Sequence, residues 1–271
     1  MKALKYLFSI FAAACTLGAQ TAKSPELALG DIVKFGDKSY MVVFNFDNYP
    51  KYEEFQRNTL IMKNTNAAIL DLIDKIGKES DPVAKTNLER QLKQFQDEFD
   101  INDKTMQRGY NFSSKRNYML MFLKTNICIP ISKEEFSQFQ FKSGEKINPL
   151  DIVSKDGAHY MRKTSIDGFS ENTQFQKVLR DSLTYRSELA QLRKRLDNNS
   201  NLKEVSEISE KIAELEKALK QSEQELFTKY GLKGGTSYLI EIEKSKLLML
   251  LTPEDMAKME AQKKIQKQSE K

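Results

Sequence analysis

The sequence predicts an α+β protein: two tandem repeats, offset by 120 residues, of a small β-base that carries an antiparallel coiled-coil helical hairpin and ends in a short helix. Three observations lead there. Shifted by 120 residues, the chain falls into register with itself without a gap: Asp31-Ile32-Val33 meets Asp151-Ile152-Val153, Phe55-Gln56 meets Phe175-Gln176, and Tyr118 meets Tyr238. Apolar residues recur at alternating three- and four-residue steps at the same place in each half. Short apolar runs rich in β-branched and aromatic residues flank both stretches.

Met1 to Ala19 reads as a secretory signal peptide. Lys2 and Lys5 supply the positive start, Leu7 to Leu17 the apolar run, and Leu17-Gly18-Ala19 the small residues for cleavage before Gln20. The run is shorter than the ~20 residues that cross a bilayer, and no later segment is longer, so no transmembrane span is expected. A lipoprotein variant stands beside this reading. Ala12-Ala13-Ala14 precede Cys15, and cleavage there would leave a lipidated Cys15 as an anchor, although Ala12 stands where Leu is usual. Residues 20–29 then form a linker.

The first repeat covers 30–141. Asp31 to Phe35 and Tyr40 to Phe44 are two strands about the turn Gly36-Asp37. Ile69, Leu72 and Ile76 belong to one helical arm; Leu88, Leu92, Phe95, Phe99 and Met106 belong to the next. Lys78-Glu79-Ser80-Asp81-Pro82 breaks the helix between them, with Pro82 suited to a first helical turn. Tyr118 to Phe122 and Ile127 to Ile131 read as a strand pair about the turn Lys124-Thr125-Asn126. Ser132-Lys133-Glu134-Glu135 then starts a helix, with a hydroxyl cap and acids near the positive end of the dipole. The unit is thus β-β-αα-β-β-α.

A connector over 142–149 leads to the second repeat over 150–261. Its arms carry Tyr185, Leu189, Leu192 and Leu196, then Val205, Ile208, Ile212, Leu215, Leu219, Ser222 and Leu226, on either side of Asn198-Asn199-Ser200-Asn201. The strand pair is Tyr238 to Ile242 and Leu247 to Leu251, turning at Glu243 to Lys246. Thr252-Pro253-Glu254-Asp255 starts the last helix, which gives way to a polar tail over 262–271.

Composition narrows the chemistry. With one His and two Cys in the chain, a zinc finger, a Cys/His metal cage and a disulfide framework are excluded. The net charge of +5 is weak and falls by two once Lys2 and Lys5 are removed. Lys and Glu alternate along the helices, which argues for a solvated surface over a nucleic-acid-binding face. Cys128, between Ile127 and Ile129, is expected as a small core residue in a strand. His159 aligns with Ser39 and is expected in an exposed turn; no nucleophile elbow accompanies it. Asp97, Asp100, Asn102 and Asp103 lack the spacing of a calcium loop and read as a solvated helix face. The glycines of 231–237 precede a strand, whereas a phosphate cradle leads into a helix, so they read as a helix stop. No catalytic, cofactor-binding or metal-ligating residue is expected.

The aromatic cluster at the first strand-to-helix junction gives the candidate partner-binding residues. Phe46, Tyr49 and Phe55 align with Ile166, Phe169 and Phe175, as shared packing positions would. Phe44 and Tyr52 align with Thr164 and Asn172, which an apolar core tolerates poorly. Phe44 and Tyr52, with Tyr49 between them, are therefore candidates for a partner-facing surface. In architecture alone, a β-base with protruding helical hairpins is similar to prefoldin-type and periplasmic holdase chaperones.

The expectation is an exported, non-catalytic scaffold, assembly factor or adaptor of a bacterial cell envelope, periplasmic or secreted, whose partners are other envelope or secreted proteins. The alternative is a holdase that clamps clients between hairpins; a hydrolase using carboxylates alone stands third. The oligomeric state is left open.

Overall fold

The computed structural model describes residues 27–141, 151–198, 201–234 and 238–269. The signal peptide, Cys15 and the connector 142–149 lie outside the described residues. The fold is α+β, with six helices and a six-stranded antiparallel sheet. In order the elements are β1 (Ile32–Phe35), β2 (Lys38–Phe46), α1 (Tyr49–Lys78), α2 (Pro82–Tyr110), β3 (Tyr118–Ile131), α3 (Lys133–Phe141), β4 (Ile152–Lys155), β5 (Ala158–Asp167), α4 (Phe169–Asp197), α5 (Leu202–Tyr230), β6 (Leu239–Leu250) and α6 (Pro253–Ser269). The strand order is β1-β2-β6-β3-β5-β4.

The order β-β-α-α-β-α runs twice, one strand per half fewer than expected. Neither Lys124-Thr125-Asn126 nor Glu243–Lys246 turns; each lies inside one long strand. Polar residues there look like a turn because their partners are remote in sequence. Thr125 and Asn126 are fully buried. Thr125 donates its hydroxyl to Asn172 Oδ1, and Asn126 Oδ1 accepts from Ser165 Oγ at 2.6 Å. Lys246, also buried, donates to Leu27 O at 2.6 Å and Asn45 Oδ1 at 3.0 Å. A strand holds buried polar side chains when each finds its hydrogen bond inside.

The two long strands also change partners. β2 pairs with the end of β6, Tyr40 opposite Leu250 through Phe46 opposite Ser245. β5 pairs with the end of β3, Ile131 opposite His159 through Lys124 opposite Asp167. Each half therefore completes the strand pairing of the other. The described residues accordingly group into two compact units that do not follow chain order: 27–122 with 242–269, and 123–241.

Each unit has its own helical hairpin, α1–α2 or α4–α5, with arms of 29 or 30 residues. At 1.5 Å per residue an arm is about 44 Å long. The second arms start alike. Asp81 accepts from Val83 N and Asn201 from Lys203 N, relieving N–H groups that the first turn leaves unpaired. They end alike too, in a left-handed residue, Asn111 at φ 52° and Gly231 at φ 67°. Phe112 N donates to Met106 O and Leu232 N to Leu226 O, closing the last turn of each. The short helices begin in reciprocal caps: Ser132 with Glu135, and Thr252 with Asp255. α6 remains helical through the segment expected as a tail, to Ser269.

Candidate functional site

The best-defined places in the fold are the two junctions where a hairpin meets its strands. In the first unit the junction is aromatic. Phe46 and Phe55, both fully buried, lie 5.1 Å apart between ring centroids, and Tyr110 closes edge-on against Phe55 at 5.1 Å. Phe112 meets Phe55 edge-on at 5.6 Å and stacks on Tyr118 at 4.6 Å. Edge and offset ring contacts of this kind add to simple burial.

Of the three candidate partner-binding residues, Tyr52 belongs to this core. It is 3% exposed, lies edge-on to Phe46 and Phe122, and its hydroxyl oxygen accepts from the Gln56 amide. Burial pushes its phenol well above the ordinary range. Its counterpart Asn172 is fully buried as well. Asn172 donates to Ile166 O at 2.9 Å and Gly168 O at 2.7 Å while accepting from Thr125. The expectation that Asn marks a surface position fails because a buried amide with its donors and acceptor engaged carries little penalty.

Phe44 and Tyr49 stay half-buried at the rim. Phe44 packs on Phe46 at 4.9 Å and edge-on to Tyr110 at 5.2 Å, and Lys51 Nζ sits 4.8 Å from its ring centroid. Tyr49 donates to Glu53 Oε1 at 3.3 Å. The rim thus keeps an aromatic face under a mobile-length lysine, while Tyr52 serves packing.

In the second unit a polar group that sequence reasoning missed occupies the strands. Cys128 is fully buried, with Glu241 Oε2 3.8 Å from its sulfur. Arg162, opposite Cys128 across β3 and β5, has its Nε buried with no hydrogen-bond partner; its Nη1 is 3.8 Å from Asp151. Burial pushes the Cys128 thiol up to about 12, with the Glu241 carboxylate adding to the rise and Arg162 opposing it. A thiol held protonated is a poor nucleophile and a poor metal ligand. The one sequence signal for this group lies in the 120-residue comparison: the matching residues of the other half are Val42, Leu248 and Met121, all apolar and buried.

The remaining candidates fall into structural roles. His159 lies in β5, half-buried, rather than in an exposed turn. Its ring stacks on Phe136 at 3.7 Å and 4°, and its Nδ1 is 2.7 Å from Ser154 Oγ. Asp97 and Asp100 are exposed, as a solvated face requires, but Asp103 is buried and accepts from Ser114 N at 2.7 Å and from Gln107. In the glycine loop, a Cβ on Gly234 would sit 2.9 Å from the Glu223 carboxylate, which in turn holds Arg186 at 2.6 Å. Among the described residues no three His, Cys, Asp or Glu side chains converge as a metal site, and no helix is long and apolar enough to cross a membrane.

No protein family, curated protein or solved structure matches the chain.

Proposed function

We propose that the chain is a tandem duplication of one β-base with an antiparallel coiled-coil hairpin, acting as an exported, non-catalytic scaffold, assembly factor or adaptor in a bacterial cell envelope. One observation carries this reading: the joints match at an offset of 120 residues, while the surfaces they display differ. Tyr118 accepts from Ser113 N at 2.8 Å, and Tyr238 from Lys233 N at 2.6 Å. Asn111 Nδ2 donates to Val43 O at 3.0 Å, and Lys163 Nζ donates to Gly231 O at 2.8 Å, linking the same two positions from opposite sides. Both β2 and β5 shift register at those positions, between Val42 and Phe44 and opposite Ile127 and Cys128.

Groups with reactive potential are engaged in packing, His159 under Phe136 and Cys128 as a buried thiol, which favours binding over catalysis. Export rests on the Met1–Ala19 segment. Two measurements test the reading. Mass spectrometry of the chain from a cell envelope should find a start at Gln20 or a lipidated Cys15; a retained Met1–Ala19 segment in the cytoplasm would refute export. Incubated with a heat-unfolding client enzyme, a scaffold should leave aggregation unchanged.

A holdase is the second reading, favoured by the exposed Leu60, Ile61, Leu70 and Ile73 on the first hairpin. It requires suppression of that aggregation at stoichiometric amounts.

A further inference from the structure

Each compact unit is built from both halves of the chain, so contacts between the halves lie inside the two cores. In the first unit the second half supplies the end of β6. Leu247 and Leu248, both fully buried, stand opposite Phe44 and Val42 of β2. Leu251 N donates to Ser39 O at 2.9 Å, and Arg116 pairs with Asp255 at 2.6 Å. In the second unit the first half supplies the end of β3. Ile127, fully buried, joins one apolar cluster with Ile166, Phe175, Val178 and Leu226 of the second half. Gly168 N donates to Leu123 O at 2.8 Å beside it.

We infer that each half is a recognition surface for the opposite half of this sequence, whichever copy of the chain carries it. Two features select that partner. The first is what a half lacks when alone. β2 loses its row from Tyr40 opposite Leu250 to Phe46 opposite Ser245, and β5 its row from Lys124 opposite Asp167 to Ile131 opposite His159. Open strand edges and uncovered Ile127, Leu247 and Leu248 call for a strand and an apolar surface together, as in an obligate interface. The second feature is the buried polar pairs, which fit only unlike halves. Lys246 of the second half donates to Asn45 of the first at 3.0 Å; Asn126 of the first accepts from Ser165 of the second at 2.6 Å; Thr125 donates to Asn172. At the 120-residue offset, two first halves would set Thr125 against Tyr52, and two second halves Lys246 against Ser165. Buried polar groups left without their partners reject the like pairing. Exchange of halves between copies keeps every native contact, as domain swapping does.

The test uses the full chain from Gln20, with a spacer of Gly and Ser carrying a protease site inserted between Gly144 and Glu145. It is folded first and then cut. At about 5 µM the cut chain should remain one particle with the mass of the uncut chain by light scattering. Its urea midpoint should rise with protein concentration, because unfolding now releases two molecules; the uncut chain's midpoint should not move. Ile127→Ala removes a side chain that one half places in the other unit's core, and should weaken association of the cut halves at least about thirtyfold. Isotopically labelled and unlabelled cut chains, unfolded together in urea and refolded by dilution, should then be examined by native mass spectrometry. Pairs of unlike halves are expected, with labelled and unlabelled partners combined as often as the parental sets. Halves that separate at 5 µM overturn the inference. So do cut halves that fail to rejoin under conditions where the uncut chain refolds, pairs of like halves as frequent as unlike ones, or an Ile127→Ala chain whose halves hold as tightly as wild type.

Discussion

The two units make the same joints and fill them differently. The first packs its junction with rings: Phe46, Tyr52, Phe55, Tyr110, Phe112 and Phe122. In the second, Phe175 meets Tyr230 at 4.9 Å, and Asn172 and Thr125 stand where the first has Tyr52 and Ser245. Among the shared strand positions, the first unit buries Val42, Leu248 and Met121; the second buries Cys128 and Glu241 and leaves Arg162 half-buried. What stays constant is the set of contacts that fix backbone direction: the left-handed helix ends, the tyrosine latches and the link from bulge to helix end. Side chains that only occupy volume are exchangeable if volume is conserved; a group that satisfies a particular N–H or C=O is not.

The sharpest way to break this comparison is to remove one ring from each junction. Phe55→Ala and Phe175→Ala both delete a fully buried ring, at a cost of about 3–5 kcal/mol each. Phe55 touches Phe46, Tyr110 and Phe112, whereas Phe175 meets Tyr230 and the aliphatic cluster of Ile127, Ile166, Val178, Leu226 and Leu232. Phe55→Ala is therefore expected to cost about 1 kcal/mol more in urea unfolding. Equal losses would mean that aromatic filling adds nothing beyond area.

The next largest effect lies in the polar group of the second unit. Arg162→Val alone removes the cation that opposes the Glu241 carboxylate at Cys128 and leaves that carboxylate buried, and should cost about 2–3 kcal/mol. Installing the other unit's residues together, Arg162→Val with Cys128→Leu and Glu241→Met, should recover that loss or exceed wild type. A triple variant less stable than the single one would show that the polar group holds the strands in a way the apolar trio does not.

The α+β class, the helix pairs and their caps were legible in the sequence because local signals write them: apolar residues at three- and four-residue steps, Pro82 and Asp81 at a helix start, Gly231 at a helix end. The exchange of strand partners was not. Thr125-Asn126 and Ser245-Lys246 carry the residue types of a turn, and only neighbours as distant as Asn172 and Asn45 make them strand interior. The junction was half legible. Phe44 and Tyr49 are half-buried at the rim, and the case for Tyr52 treated Asn172 as a surface residue, when Asn172 bonds to Ile166 and Gly168 from inside. The Cys128–Glu241 contact joins residues that share no local pattern at all.

Alkali should separate the units by the groups they bury. The folded chain holds protons on Tyr52, Tyr110 and Tyr118 in the first unit, and on Tyr230 and Cys128 in the second, beyond the pH at which the unfolded chain releases them. Desolvation is the first cause in each. A raised pKa contributes stability in full below the unfolded value and loses it as pH climbs toward the folded one. For Cys128 that window runs from about 9 to about 12. Unfolding free energy should fall across it, and Cys128→Ala should flatten the fall. Native Cys128 should also resist thiol reagents at pH 8 until urea unfolds the chain; prompt reaction would contradict the burial.

The smallest change tests the finest difference between the halves. In the first unit Asp103 reaches Ser114 N at 2.7 Å; at the matching place Glu223 faces Gly234. Glutamate is one methylene longer than aspartate, so its carboxylate occupies the space where a Cβ on residue 234 would stand, 2.9 Å away. Gly234→Ala should push Glu223 aside and weaken its bond to Arg186. The displaced atoms end a flexible side chain, and the bond is half-exposed, so the loss should be about 1 kcal/mol. Gly234→Ser combined with Glu223→Asp rebuilds the first unit's arrangement in the second and should lose less than Gly234→Ala alone. If the paired change is the worse of the two in thermal unfolding, the loops after the hairpins are not interchangeable, and the likeness of the two joints stops at the tyrosine latch.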